Sequence, residues 1–239
     1  MKPILFNTEM VRAILDGRKT VTRRVVKPQP PATSVVRKRG CAWDWSFWAD
    51  CDMGHLMKPP YQPGDTLWVR ETWNGDWCDH YIYKADGGSA KAAGYAAEPK
   101  WRPSIHMPRE AARLFLRVTG VRVERLQESF FDQGDAPIKA LQNEGIDIGD
   151  QCRQCIENYG NPCCNDLDPE LEPDENGEDK NGGSECGMLD EVRSDFAKLW
   201  DNTVKPEDRA TYGWEAHPWV FVIEFERISK DEALGGGRD

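Results

Sequence analysis

A lysine, two threonines and three arginines, two of them adjacent, lie within eight residues near the start of the chain, in the run Gly17-Arg18-Lys19-Thr20-Val21-Thr22-Arg23-Arg24. A threonine hydroxyl becomes nucleophilic only when a neighbouring group removes its proton, and an amine can do so. Guanidinium groups bind phosphate and cannot act as bases near neutral pH, so Arg23 and Arg24 are predicted to recognise an anion. The alternative is a basic turn whose charges are solvated.

Two predicted elements position this cluster. Asn7 or Thr8 can cap a helix over residues 8–16, and a glycine follows that favours the end of the helix. The β-branched run after it predicts a strand over residues 19–26. Because side chains alternate along a strand, Lys19 and Thr22 fall on opposite faces unless a bulge intervenes.

The rest of the chain mixes strand and helix patterns. Further strands are predicted over residues 3–6, 66–72, 80–84, 114–126 and 219–225, with Gly120 as a point where the fourth could break. Helices are predicted within residues 128–144 and over residues 189–200. The pattern therefore predicts an α+β fold.

Length and composition limit the class of protein. The 239 residues can bury a sizeable core, and we expect one domain over residues 1–230, with a flexible tail over residues 231–239. There is no run of about 18 apolar residues and no apolar signal-peptide core, so we expect a cytoplasmic protein without a membrane partner. The eight cysteines are then expected to be free thiols or metal ligands.

The net charge of −10 is unevenly distributed. Residues 144–191 hold 15 acidic and 2 basic residues, which leaves 26 acidic and 29 basic residues elsewhere. Residues 1–40 carry 10 basic and 2 acidic side chains. The basic N-terminal part is therefore predicted to bind phosphate, and the acidic stretch either competes with it or only solubilises the chain.

A tryptophan-rich stretch follows a group of prolines and predicts an irregular insertion over residues 32–58. It contains the run Trp43-Asp44-Trp45-Ser46-Phe47-Trp48, close to the basic run Arg37-Lys38-Arg39. Aromatic rings beside cations suit the bases of single-stranded nucleic acid. A small satellite core is the alternative.

A second insertion, acidic and cysteine-containing, is predicted over residues 147–187, where hydrophobicity is low and charge is high. Its candidate zinc ligands are Cys152, Cys155, Cys163, Cys164 and Cys186. Only the first pair has the spacing of a zinc knuckle, so the alternative is a degenerate knuckle without metal. A looser second set is Cys41, Cys51, His55 and Cys78.

The pattern Gly-x-Lys-x-x-Thr-x-Arg after an N-terminal helix resembles the signature of the ASCH domain, a small β-barrel of the PUA-like group associated with RNA and modified nucleosides. Residues 63–71, 140–145 and 218–227 resemble the family's Gly-Asp turn with its following strand, its Ala-x-x-Glu-Gly segment and its closing strand. The chain is similar to bacteriophage or prophage members, in which Leu5-Phe6-Asn7, the run from Trp101 to Pro108 and the run from Trp219 to Phe225 recur. The resemblance covers residues 1–30, 59–146 and 188–228.

The resemblance implies a PUA-like β-barrel flanked by helices, and it implies catalytic residues. In the branch of the family that deacylates N4-acetylcytidine, the residues matching Lys19, Thr22 and Glu144 are catalytic. Lys19 can act as a base only if burial lowers its pKa, whereas an ionised Glu144 in contact would raise that pKa. The two therefore share protons, or Glu144 serves the leaving group. A structural salt bridge is the alternative.

The resemblance also implies ligand-binding residues. Arg24 matches the arginine of the motif, and Trp73 and Trp101 are expected near the mouth of the barrel. His106 is either a pocket residue or a structural histidine.

Three functions follow from these observations. The first is recognition of a nucleoside or RNA, with amidohydrolase chemistry on an N4-acylated cytidine as its enzymatic form. The second is a non-catalytic module that binds RNA or single-stranded nucleic acid. The third is a ribonuclease in which Lys19 and the arginines stabilise phosphate charge.

Overall fold

The structure is a computed structural model that describes residues 1–30, 35–38, 46–49, 55–75, 80–87, 99–130, 136–146 and 187–235. The chain divides into two compact units. Unit 1 combines Met1–Glu124 with Val220–Asp239, and unit 2 is Arg125–Trp219. Unit 2 is therefore inserted into the sequence of unit 1. The single domain expected over residues 1–230 stays a prediction.

The described residues form both strands and helices, which confirms the α+β class. The strands are β1 (Lys2–Leu5), β2 (Val21–Val25), β3 (Val35–Lys38), β4 (Ser46–Ala49), β5 (His55–Met57), β6 (Thr66–Arg70), β7 (Trp73–Asn74), β8 (Ile82–Tyr83), β9 (Phe115–Arg125) and β10 (Trp219–Ile228). The helices are α1 (Thr8–Leu15), α2 (Ala136–Asn143), α3 (Gly187–Thr203), α4 (Arg209–Tyr212) and α5 (Lys230–Leu234). Short 3₁₀ helices cover Lys84–Asp86, Ser104–His106, Arg109–Ala111, Glu128–Phe130 and Pro206–Asp208.

The main sheet is mixed and has the order β1-β6-β9-β10-β2. β1 runs parallel to β6, whereas β6 pairs antiparallel with β9 and β10 pairs antiparallel with β2. In the part of the chain that the structure describes, β1 and β2 are the edge strands, so this sheet is open and not the closed barrel that was predicted. Helix α1 connects the two edge strands in sequence.

The core of unit 1 lies on both sides of the main sheet. Leu67, Trp68 and Val69 are buried in succession on β6, and β10 is buried at five consecutive positions from Trp219. Consecutive buried residues on a strand mean that both of its faces are covered.

Helix α1 and the turn after it form as predicted. The side chain of Asn7 accepts a hydrogen bond of 2.8 Å from the backbone N–H of Met10, which caps the first turn. Gly17 has a φ of +75°, a left-handed conformation that glycine adopts without strain. The chain can therefore leave the helix sharply and enter β2.

Three local predictions differ from the structure. β3, β4 and β5 form an antiparallel sheet where an irregular insertion was predicted, because valines, phenylalanine and tryptophan favour strands. Helix α5 replaces the first part of the frayed tail, because Ser229 and Glu232 form a capping box. β9 continues through Gly120, where the side chain of Glu224 from β10 fills the space that a Cβ would need.

Unit 2 packs around an aromatic cluster. Phe130 lies 4.8 Å from Phe196 and 5.8 Å from Trp214, measured between ring centroids. The indole N–H of Trp200 donates to the carbonyl of Tyr212 at 2.9 Å. Phe196 and Trp200, which lie one turn apart on α3, are both buried, as is Arg193 one turn before Phe196.

The two ends of unit 2 lie side by side. The N–H of Leu126 donates to the carbonyl of Pro218 at 2.9 Å, and the guanidinium of Arg125 lies 4.6 Å from the ring centroid of Trp219. The chain therefore leaves β9 and returns to β10 at one place.

Candidate functional site

Lys19 and Thr22 are buried polar residues at the start of β2. Each of these two residues is only 2% exposed. The N–H of Lys19 donates to the carbonyl of Ala13 at 3.0 Å, which folds the chain back against the end of α1 before the strand begins. β2 is then fixed by β10, where Ile223 is the partner of Thr22. The turn and the strand pairing together bury the motif.

Phe6 forms an aromatic wall beside two cations of the motif. The ammonium of Lys19 lies 6.0 Å and the guanidinium of Arg24 lies 5.7 Å from the centroid of the Phe6 ring. Phe6 packs on Phe225 with 6.1 Å between ring centroids. A ring face attracts cations, so Phe6 helps to hold both charges near the motif.

Arg23 forms an ion pair within unit 1. It is 4% exposed, and its guanidinium forms an ion pair of 2.9 Å with Glu124. Glu124 also pairs with Arg122 at 2.8 Å. For Arg23 to bind phosphate, its ion pair with Glu124 would have to break. Its predicted role in anion recognition stays a prediction.

Arg24, the arginine of the motif, is half-buried. Its guanidinium donates to the carbonyl of Leu5 at 3.1 Å and to the carbonyl of Arg23 at 3.3 Å. Both acceptors are neutral, so the positive charge of Arg24 is not compensated by these two contacts.

Glu144 belongs to unit 2, whereas Lys19 and Thr22 belong to unit 1. It directly follows α2 and is 6% exposed. Its N–H donates to the carbonyl of Ala140 at 3.2 Å, and Gly145 after it has a φ of +85°. Burial of a carboxylate at the end of a helix is consistent with a functional role. That the three residues converge in one cleft stays a prediction.

Trp73 is a buried aromatic residue between two other side chains. It is 5% exposed, lies 5.7 Å from the ring of Tyr81 in an edge-on arrangement, and has the guanidinium of Arg102 5.4 Å from its ring centroid. Its indole N–H has no hydrogen-bond partner among the described residues. Trp101 is half-buried and His106 is exposed on a 3₁₀ helix.

A buried ion pair that the sequence analysis missed lies directly after β6. Glu71 is 1% exposed and accepts two hydrogen bonds of 2.9 Å from Arg113. Arg113 also pairs with Asp86 at 2.6 Å and stacks 3.9 Å from the ring centroid of Tyr83. An acidic residue directly after the apolar run of β6 is the signal that could have predicted a buried partner.

Burial shifts the ionisation of this group. Desolvation raises the pKa of Glu71, and the hydrogen bonds and charge of Arg113 oppose that shift. Desolvation also raises the pKa of Tyr83 to about 12. The Tyr83 hydroxyl donates to the carbonyl of Ala111 at 2.6 Å, so it acts as a neutral donor.

The predicted zinc ligands lie outside the described residues. This holds for Cys152, Cys155, Cys163, Cys164 and Cys186, and also for Cys41, Cys51 and Cys78. Within the described ranges, no group of three or more histidine, cysteine, aspartate or glutamate side chains is placed to hold a metal ion. Zinc binding stays a prediction.

No protein-family model, no curated protein sequence and no solved structure was found to match the chain. The resemblance to the ASCH family therefore rests on the motifs alone. Among the described helices, none is long and apolar enough to cross a membrane.

Proposed function

We propose that this chain is an ASCH-type protein with a PUA-like fold that recognises modified nucleosides and hydrolyses the N4-acyl amide of an acylated cytidine. The observation that carries the proposal is the joint burial of Lys19 and Thr22 at the start of β2. Lysine is almost never fully buried unless it is paired, and this buried lysine occupies the lysine position of the motif. Because the main sheet is open in the described residues, the proposed relation to the PUA-like group concerns the motif and its place between α1 and β2, and not a closed barrel.

The chemistry uses three residues. The Thr22 hydroxyl attacks the acyl carbon while the neutral amine of Lys19 takes its proton. The C–N bond then breaks, the acyl group stays on Thr22 as an ester, and Glu144 supplies a proton to the leaving amino group. Water hydrolyses the ester, which releases the carboxylic acid and restores Thr22.

Lys19 and Glu144 must share their protons for this scheme to work. Removal from water favours the neutral amine, whereas an ionised carboxylate nearby favours the ammonium. When the pair of Lys19 and Glu144 has lost one of its two acidic protons, one group can act as the base and the other as the acid.

The test is hydrolysis of N4-acetylcytidine by the purified chain, followed by product analysis. We expect cytidine and acetate, and we expect Thr22→Val and Lys19→Met to lose at least about a hundredfold in rate. Thr20→Val is the matched control, because Thr20 belongs to the same motif but is exposed. The proposal fails if the wild type leaves the amide intact, or if all three variants retain full activity.

A second candidate function is non-catalytic binding of RNA or single-stranded nucleic acid. Lys100, Arg102 and Arg109 are exposed on one segment of unit 1, where they are accessible to a phosphate backbone. Binding of N4-acetylcytidine or RNA without any hydrolysis would favour this function over the first.

A further inference from the structure

We propose that residues 99–110, here called the cationic segment, and the pocket beside it form a binding surface for single-stranded nucleic acid. The inference rests on the nucleic-acid-binding form of the proposed function and names where the strand lies. The cations of the segment contact backbone phosphates, and the pocket takes one base.

The cationic segment carries three exposed cations and few acidic residues. The cations are Lys100, Arg102 and Arg109, and Glu110 is the only acidic residue of the segment. Neutralising phosphates with lysine and arginine releases counterions and drives binding. The segment therefore attracts a polyanion although the chain as a whole has a net charge of −10.

The backbone of the cationic segment is held in place by the strands beside it. The Asn74 side chain donates to the carbonyl of Lys100 at 2.8 Å, and the backbones of Trp73 and Arg102 exchange hydrogen bonds of 3.2 and 2.8 Å. The guanidinium of Arg70 donates to the carbonyl of Met107, which is fully buried. A surface that is already ordered loses little entropy when a ligand binds.

The segment also offers surfaces for bases. Trp101 is half-buried and Ile105 is 58% exposed, so both present apolar area next to the cations. Bases stack on aromatic rings, and this contact tolerates any sequence. Apolar contacts alternating with cations fit a single strand, whose bases are accessible, better than a duplex.

A pocket of about 340 Å³ lies at the C-terminal end of the segment. It is lined by Arg109, Glu110, Phe115, Lys230 and Leu234. Phe115 gives it an apolar wall, and the two cations can contact flanking phosphates. The carboxylate of Glu110 repels phosphate but accepts hydrogen bonds from an amino group of a base, as acidic side chains do from cytosine. The pocket therefore favours a base with an exocyclic amino group.

The first test measures binding of labelled oligo-dC by fluorescence anisotropy over a series of salt concentrations. We expect K100Q/R102Q/R109Q to bind at least about tenfold more weakly and with a shallower salt dependence than the wild type. The control is K198Q/K205Q/R209Q, which removes three exposed cations from unit 2, two of them paired with acidic side chains, and should bind within about twofold of the wild type.

Equal weakening in both triple variants, or an unchanged salt dependence in the first, overturns the proposed surface. If the wild type binds neither oligo-dC nor RNA, both this inference and the nucleic-acid-binding function fail. Hydrolysis of N4-acetylcytidine is measured separately, so the enzymatic proposal is judged on its own.

The second test addresses the pocket with Glu110→Met, compared on oligo-dC and oligo-dT. Thymine has no exocyclic amino group, so loss of the carboxylate should weaken binding of oligo-dC and strengthen binding of oligo-dT, for which it only removes repulsion. A change in the same direction for both oligonucleotides would show that the pocket does not read a base.

Discussion

His217 shows how one side chain can couple the stability of unit 2 to pH. Its Nδ1 accepts a hydrogen bond of 3.1 Å from the N–H of Gln127, so Nδ1 carries no proton and the imidazole ring is in its neutral form. Desolvation and the charge of Arg125 lower the pKa of His217, and Glu128 opposes them. Because the folded pKa is lowered, the unfolded chain takes up the proton first as the pH falls.

We expect His217 to contribute stability that is fully present above its unfolded pKa and is lost as the pH falls through the lower folded pKa. His217→Asn removes the titration but keeps an acceptor, and asparagine tolerates the positive φ of 46° at this position. The free energy of unfolding, measured in urea from about pH 7.5 to pH 5.5, should fall less for this variant than for the wild type.

His217→Ala serves as the second comparison, because it removes the acceptor at every pH. It should be less stable than His217→Asn even at neutral pH. An identical pH dependence in the wild type and His217→Asn would show that the histidine does not titrate during unfolding.

At the scale of elements, helix α5 depends on its cap. The Ser229 side chain accepts a hydrogen bond from the N–H of Glu232, and the Glu232 carboxylate accepts one from the N–H of Ser229. The carboxylate accepts hydrogen bonds from both the N–H and the hydroxyl of Ser229, and these two hydrogen bonds lower the pKa of Glu232. A helix of five residues has little stability of its own, so the loss of one cap has a large local effect.

We expect Ser229→Ala to cost about 1 kcal/mol of helix stability, which corresponds to about fivefold faster amide exchange in α5. Hydrogen exchange of residues 232–235 measures this change. The control is Ser194→Ala, an exposed serine inside α3, which should leave exchange in α5 unchanged. Equal exchange in the wild type and Ser229→Ala would mean that packing, and not the capping box, holds the helix.

The elements could be predicted where the signal is local. Asn7 and the glycine after α1 mark its two ends, and β-branched residues mark β2. Gly120 was misinterpreted as a break because the sequence cannot show that a side chain from β10 fills the space beside it. The sheet β3-β4-β5 was missed because the tryptophan-rich stretch after the prolines was interpreted as an irregular insertion.

The candidate site was only partly predictable for the same reason. The motif singles out Lys19 and Thr22, but alternation along a strand does not show that both are buried. Val21, Thr22 and Arg23 are buried in succession because both faces of β2 are covered there. The pairing of Glu71 with Arg113 joins residues distant in sequence, so only the three-dimensional structure shows it.

At the scale of the whole molecule, the cysteines of residues 147–187 remain to be explained. If this segment is ordered, we expect metal to order it, with about one zinc per chain, because the segment has too few apolar residues to offset a backbone entropy of roughly 1–2 kcal/mol per residue. Metal analysis of the purified chain, with Cys152→Ser/Cys155→Ser as the variant, measures this. Cys41→Ser is the comparison outside this segment, and loss of zinc in that variant alone would point to the looser second set instead. Purified protein that holds no zinc after expression in zinc-containing medium would contradict the prediction.

The hydrogen bond between Leu126 and Pro218 has a consequence for biosynthesis. During synthesis β9 is made before unit 2, and β10 is made only after it. In the folded sheet, β10 lies between β9 and β2. In the nascent chain, β2 and β9 therefore lack β10, the strand that pairs with both of them, until unit 2 has been made. If unit 2 folds first, it holds its own ends together, and β10 reaches its place with most of the loop-closure entropy already lost. A substitution that prevents unit 2 from folding would then leave β2 and β9 unpaired with β10 in the nascent chain. Chaperones or proteases recognise such unpaired strands.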